Sequence, residues 1–189
     1  LEVALTKVQR AIDETPLDPY IHYILGSFAL HYDDKRTIAD HSFAIQRRLD
    51  IARVNLAIEQ ARAWSQQDPQ QVLILWKEAM RRASIEESRL PGSPFGVEKT
   101  YQRAVYDAGK NEALITAALE LAGNDPSLWL IWARPAPVNL LDREMPRMLA
   151  DPAGADLRKT LFQTWEKRGS KDAALKFATG HPELGLSHP

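Results

Sequence analysis

Residues 68–80, DPQQVLILWKEAM, are the stretch from which the fold is best read. Asp68 can accept hydrogen bonds from backbone N–H groups at a helix start, and Pro69 suits the first helical position. An uninterrupted apolar block follows at 72–76 and ends in a tryptophan. A helix with one buried face carries its apolar residues three and four positions apart. The continuous block therefore predicts a helix that packs on more than one side.

The same arrangement of packing residues recurs in two earlier segments. The predicted helices 2–14, 36–48 and 69–83 each carry a triplet spaced by four and three positions, in which small residues flank a larger one except at Gln46. The triplets are Ala4, Val8 and Ala11, then Ala39, Phe43 and Gln46, then Val72, Trp76 and Ala79. Positions 4 and 39 are 35 residues apart and positions 39 and 72 are 33 apart, close to the period of roughly 34 in tetratricopeptide arrays. A single helical hairpin cannot bury its own apolar face, so this repeat predicts stacked hairpins.

Start and stop residues divide the rest of the chain into helices. Asp-Pro pairs and glycines stand where periodic segments begin and end, and no stretch alternates apolar and polar residues as a half-buried strand does. The predicted helices are 2–14, 19–32, 36–48, 51–66, 69–83, 97–108, 111–122, 126–132, 138–149, 152–168 and 171–179. The Pro-rich segment 134–146 is expected to be irregular.

These features predict an all-α fold, a right-handed array of antiparallel helical hairpins that becomes less regular in its second half. Tetratricopeptide-like repeats are expected at 1–83 and a helical continuation at 97–189. The loop 84–96, SIEESRLPGSPFG, is the expected boundary between them.

Composition narrows the function classes. The 189 residues have a formal net charge of −1 and no cysteine. Balanced charge gives no general attraction to nucleic acid, and the lack of cysteine excludes disulfides, thiol catalysis and thiolate metal sites. No apolar run approaches the roughly 20 residues of a membrane span. His22, His31 and His41 lack the three- or four-residue spacing of metal ligands on a helix, so no catalytic residue, metal or cofactor is expected.

The candidate contact surface is a polar stripe on the predicted helix 51–66. Asn55, Glu59 and Arg62 follow helical spacing and face away from the apolar positions of that helix. Because the first helices of repeats line the concave side of a solenoid, we expect a protein or peptide partner to be bound on such a face. An aromatic groove near Trp129 and Trp132 that holds a saccharide is an alternative, although the core is the expected place for both rings.

Over residues 1–83 the chain resembles the tetratricopeptide repeat family, in the spacing of its triplets and in Pro16 at the expected inter-repeat position. The succession LDPYIHYILGSFAL, RRLDIARVNLAIEQARAWSQQDPQQVLILWKEAMRRA and WEKRGSKDAALKFATGHPEL further resembles the helical-repeat tail of some bacterial O-antigen ligase or polymerase-like membrane proteins. That resemblance implies a non-catalytic interaction domain on the periplasmic side of the inner membrane, in lipopolysaccharide biosynthesis at the cell envelope. The catalytic loops of such a parent would lie upstream of Leu1, so no catalytic residue is carried over.

Two other functions stay open at this point. A freestanding, cytoplasmic tetratricopeptide-like adaptor would bind peptide segments of a soluble complex. An accessory domain of a glycan-transfer enzyme would hold saccharide. The chain begins within a predicted helix and without an initiator methionine, which we interpret as a fragment of a longer protein whose membrane contact lies upstream.

Overall fold

A computed structural model describes residues 2–50, 56–150 and 154–186 of the chain. All regular secondary structure in these residues is helical, which confirms the all-α prediction. Within the same residues, no helix combines the length and the apolar character that crossing a membrane requires.

The described residues form eleven α-helices and two short 3₁₀ turns. In chain order the helices are α1 (Glu2–Glu14), α2 (Pro19–Ala29), α3 (Arg36–Leu49), α4 (Leu56–Trp64), α5 (Pro69–Arg89), α6 (Val97–Ala108), α7 (Glu112–Ala122), α8 (Pro126–Ala133), α9 (Val138–Ala150), α10 (Ala155–Arg168) and α11 (Lys171–Gly180). The 3₁₀ turns are Asp33–Lys35 and Pro182–Leu184.

The Asp-Pro pairs start helices as predicted wherever the structure describes them. Asp18, Asp68 and Asp125 each accept a hydrogen bond from a backbone N–H of the first turn, and a proline follows each of them inside the helix. This cap satisfies a donor that has no partner within the helix. The fourth pair, at 151–152, lies outside the described residues.

The predicted loop 84–96 is wrong over its first part, because α5 continues to Arg89. Glu86 and Glu87 lie within this helix. Glu87 Oε2 accepts the backbone N–H of Val97 at 3.0 Å, and Ser93 Oγ donates to Glu86 Oε1 at 3.4 Å. The two carboxylates thus hold the short connection between α5 and α6.

The expected irregularity of 134–146 holds for 134–137 and is wrong over 138–146, where α9 runs from Val138 to Ala150 with Pro146 inside it, in agreement with the predicted helix 138–149. A proline in a helix interior removes one backbone hydrogen bond and costs about 3 kcal/mol. Five side chains of α9 are buried, namely Leu140, Leu141, Met145, Met148 and Leu149. Burial of this apolar face offsets the loss at Pro146, since packing contributes most of the stability of helices in proteins.

Two compact units make up the chain, Leu1–Ala104 and Val105–Pro189. In the first unit each helix packs on the next, α1 on α2, α2 on α3, α3 on α4 and α4 on α5. In the second, α10 packs on α8, α9 and α11, and α7 packs on α8. This packing is consistent with a helical array. The division into repeats at 1–83 and a continuation at 97–189 stays a prediction.

The second and third packing triplets form the core of the first unit. Ala39, Phe43 and Gln46 of α3 are at most 1 % exposed, as are Val72, Trp76 and Ala79 of α5. The first triplet, in α1, is only half-buried. The apolar block of α5 is one broad buried face rather than an all-round one, since Ile74 on the opposite side is 59 % exposed.

A close approach between α2 and α3 depends on Gly26. A Cβ at this position would lie 2.8 to 3.0 Å from three ring atoms of Phe43. The absence of a side chain therefore makes room for the large member of the second triplet, which packs with Ala29, Ala39 and Ala63.

Candidate functional site

An open groove of about 420 Å³ lies on the first unit between α1 and the start of α3. It is lined by Leu5, Thr6, Gln9, Arg10 and Asp13 of α1, by Leu25 of α2, by Lys35, and by Ile38 of α3. Its volume falls within the range of roughly 300–1,000 Å³ that is usual for ligand sites. The groove lies on α1 and α3, which are the first helices of two successive helix pairs. Of the described features, it best fits a binding site on such helices.

The groove combines an apolar floor with a charged rim. Leu5, Leu25 and Ile38 supply the apolar surface, and Ile38 is 41 % exposed although it is a large aliphatic residue. Two cations, Arg10 and Lys35, line the groove with a single carboxylate, that of Asp13. The groove therefore offers aliphatic surface beside two cations.

The two rim cations already have acidic neighbours on their own segments. Arg10 Nε lies 3.0 Å from Glu14 Oε1, and Lys35 Nζ lies 3.1 Å from Asp34 Oδ2. The side chains of Arg10 and Glu14 are 82 % and 64 % exposed. Ion pairs at such exposure contribute about 0–1 kcal/mol, so a carboxylate from a partner can replace the local one at little cost.

The polar stripe predicted on 51–66 is placed differently by the structure. Asn55 lies outside the described residues, and Arg62 is half-buried. Glu59 is only 8 % exposed, with its Oε1 3.5 Å from Arg103 Nη2, so the expectation that it is exposed is wrong. The cause is that α4 packs against both α3 and α5, which leaves it no free face. A role for these three residues in partner binding stays a prediction.

Sequence reasoning missed a buried polar network that joins α3 to α4. Asp40 Oδ1 accepts hydrogen bonds from Gln60 Nε2 at 2.5 Å and from Trp64 Nε1 at 2.7 Å. Gln60 Oε1 in turn accepts from Arg47 Nη1 at 2.6 Å. Asp40 lies 20 residues from Gln60 in the chain, and the spacing of these residues does not predict the contact.

The same network continues from α3 to α5 through Glu78. Its two carboxylate oxygens bind Arg47 Nη2 at 2.8 Å and Arg82 Nη2 at 2.7 Å. Burial lowers the pKa of Arg47 and the charge of Glu78 opposes that shift, while arginine remains protonated in proteins. Arg47 Nε and Arg82 Nη1 are buried without a hydrogen-bond partner. Through these contacts the network ties α3, α4 and α5 together and orients the three helices.

The signal for one part of this network was present in the sequence. Glu78 and Arg82 are four positions apart on one helix, which is the spacing of an intrahelical ion pair. Because α5 extends to Arg89, Arg82 lies within the helix and not at its C-terminus.

The tryptophans of the second unit are core residues, as expected. Trp129 and Trp132 are 0 % exposed. Their indole N–H groups donate to the backbone oxygens of Gly123 and Ile115, each at 2.9 Å. Neither ring lines an open groove, so the aromatic surface on which the saccharide alternative depended is not accessible from solvent.

Two of the three histidines considered as metal ligands, His22 and His31, contact backbone oxygens, and the third, His41, is exposed. His22 is 4 % exposed, and its Nε2 lies 2.9 Å from the oxygen of Pro16. His31 Nδ1 lies 2.9 Å from the oxygen of Ser27. In the described part of the chain, no group of three or more His, Asp or Glu residues is arranged to hold a metal ion.

Comparison of the chain with protein-family models, with curated proteins and with solved structures gave no match. The resemblance to helical-repeat proteins therefore rests on the packing triplets and on the helical architecture alone.

Proposed function

We propose that this chain is a non-catalytic protein-interaction domain that binds an extended or helical segment of a partner in the groove between α1 and α3. The observation that carries the proposal is the groove itself. It exposes aliphatic surface at Ile38 and Leu5, beside cations whose present ion pairs are weak. A protein or peptide segment is therefore the partner that we propose.

The occupant that fits is a peptide segment with a bulky aliphatic side chain and an adjacent carboxylate. The aliphatic group would pack on Leu5, Leu25 and Ile38, where each buried methylene contributes about 0.8 kcal/mol. The carboxylate would take the place of Glu14 or Asp34 beside Arg10 or Lys35. A basic segment is disfavoured by the same two cations.

The test is binding of short fluorescent peptides followed by anisotropy. Three peptides of equal length separate the contributions, one with leucines and glutamates, one with leucines and lysines, and one with alanines and glutamates. We expect saturable binding of the first only. Ile38→Lys should weaken that binding by about tenfold or more, since a charge then lies against the aliphatic group.

Ile74→Lys is the matched control for this test. Ile74 is also an exposed isoleucine of a first helix, on α5, but it does not line the groove. Ile74→Lys should leave the peptide affinity unchanged. Equal losses in the two variants, or binding of all three peptides alike, would overturn the proposed function.

The finer identity of the domain belongs to the same proposal. The packing triplets and the succession of packed helices support a right-handed, tetratricopeptide-like array of antiparallel hairpins. By the resemblance stated above, its setting is the periplasmic side of an O-antigen ligase-like membrane protein. Reading the gene upstream of the codon for Leu1 tests this setting. A series of apolar spans of about 20 residues supports it, and a start codon close to Leu1 supports the cytoplasmic adaptor instead.

A further inference from the structure

Helix α1 forms one wall of the groove, but its side chains are less buried than those of α3 and α5, the first helices of the next two pairs. None of the side chains 3–14 is fully buried, whereas α5 buries six. Ala4, Val8 and Ala11 are half-buried at the positions where the corresponding residues of α3 and α5 are at most 1 % exposed. Because apolar burial is the main stabilising contribution to docking, α1 is held less firmly than α3 or α5.

Polar side chains of α1 bond along the helix itself. Gln9 Nε2 donates to Asp13 Oδ1 at 3.2 Å, and Arg10 Nε donates to Glu14 Oε1 at 3.0 Å. Pairs four positions apart stabilise a helix in isolation. They therefore keep α1 helical without fastening it to its main packing partner, α2.

Helix α2 is secured from the other side. Its first turn is capped by Asp18, which accepts the N–H of Tyr20 at 2.8 Å. Gly26 lies against the ring of Phe43 in α3, and His22 binds the oxygen of Pro16 in the link from α1. Removal of α1 leaves each of these contacts in place.

From these contacts we infer that α1 opens and closes as one piece on the rest of the first unit, and that opening dismantles the groove. Five of the eight lining residues belong to α1. A partner in the groove then binds only the closed state, so its affinity is scaled by the closed fraction. The coupling to a partner rests on the proposed function, whereas the opening itself does not.

Native-state amide hydrogen exchange of the whole chain tests the opening. Amides 7–14 of α1 are compared with amides 40–49 of α3, which avoids the first turn of each helix, where the N–H groups lack helical partners. We expect the α1 amides to exchange roughly 100-fold faster, with a weaker dependence on denaturant, as in local opening. Equal protection and equal denaturant dependence in the two helices would overturn the inference.

Two glycine variants provide a matched pair. Lys7 and His41 are both exposed residues in the interior of a helix, α1 and α3 respectively. Lys7→Gly should speed exchange in α1 about fivefold, and exchange in α3 by a similar factor, because α3 opens only from states in which α1 is already open. His41→Gly should speed exchange in α3 and leave α1 unchanged, because α1 opens while α3 stays folded. Acceleration of both helices by His41→Gly would show one cooperative piece and contradict the inference.

The leucine and glutamate peptide separates this inference from the proposed function. If the peptide binds in the groove, it should slow exchange in α1, and in α3 by the same factor, because neither the open nor the unfolded state has the groove. If α1 opens independently and the peptide does not slow its exchange, the inferred opening of α1 is supported and the proposed binding site is not. If the peptide binds and α1 does not open independently, the proposed binding site is supported and the inferred opening of α1 is overturned.

Discussion

The two compact units differ in how they accommodate the polar edge of a buried tryptophan. In the second unit, Trp129, Trp132 and Trp165 are at most 1 % exposed, and each donates its indole N–H to an acceptor. In the first unit, Trp76 is equally buried, but its Nε1 has no hydrogen-bond partner among the residues that the structure describes. Within the same described residues, both polar atoms of the buried Gln46 amide are also unmatched.

The difference has a cost in stability. Buried polar groups without a partner cost about 1–3 kcal/mol each, and departures from satisfied packing tend to gather at functional sites. The second unit satisfies its buried indoles. Among the described residues, the first unit carries unmatched groups in α3 and α5 as well as the open groove. Under the proposed function, this unit gives up stability to bind a partner.

The largest expected effect comes from truncating a satisfied tryptophan. Trp132→Ala should lower the free energy of unfolding by about 3–5 kcal/mol through the cavity it leaves, and by about 1 kcal/mol more through the lost bond to Ile115. Urea unfolding followed by circular dichroism, fitted with one transition for each unit, measures this loss. Trp76→Ala should cost about 3–5 kcal/mol without the second contribution.

Phenylalanine variants sharpen this comparison, because they remove the indole N–H and the same volume from both sites. Trp132→Phe loses a hydrogen bond, whereas Trp76→Phe removes a donor that had none. Trp132→Phe should therefore be the more destabilising of the two by about 2 kcal/mol. If Trp76→Phe were as costly, the N–H of Trp76 would have to be satisfied in solution, and the contrast between the units would disappear.

A second prediction concerns the ion pairs that hold the first unit. Glu78→Gln leaves Arg47 and Arg82 without their shared carboxylate, so we expect a loss of about 2–3 kcal/mol in urea unfolding. This is less than for a fully buried pair, because the side chains of Arg47 and Glu78 remain 20 % and 26 % exposed. Glu14→Gln, which removes the exposed partner of Arg10, is the control and should cost less than about 1 kcal/mol. Similar losses for both would mean that the network of Glu78 is no stronger than a surface pair.

Local features of the fold could be predicted from the sequence, and distant ones could not. The starts of α2, α5 and α8 follow from an aspartate and a proline side by side, because a cap acts within three residues. The helix predicted at 138–149 agrees with α9, but the irregularity that the prolines also predicted at 134–146 extends only to 137, since burial of the apolar face of α9 outweighs the effect of Pro146. Short-range chemistry thus sets where helices begin, and packing decides how far they continue.

The candidate site shows the same limit. Helical periodicity groups Glu59 with Arg62 on one side of α4, but it cannot tell whether another helix covers that side. The groove is formed by Leu5, Leu25 and Ile38 from three different helices, and no spacing in the sequence relates them. A likeness in the packing triplets therefore indicates the architecture better than it indicates the binding surface.

The smallest predicted effect has the opposite sign, and it tests the contrast between the units most directly. Gln46→Leu replaces a fully buried amide whose nitrogen and oxygen both lack partners with an apolar side chain of similar size. Because the desolvation cost of the amide disappears, the first unit should gain about 1–2 kcal/mol in urea unfolding. Gln163→Leu, at an exposed glutamine of α10, is the control and should change stability by less than about 0.5 kcal/mol. A loss of stability in Gln46→Leu would mean that the amide is bound in solution, and the first unit would then be as fully satisfied as the second.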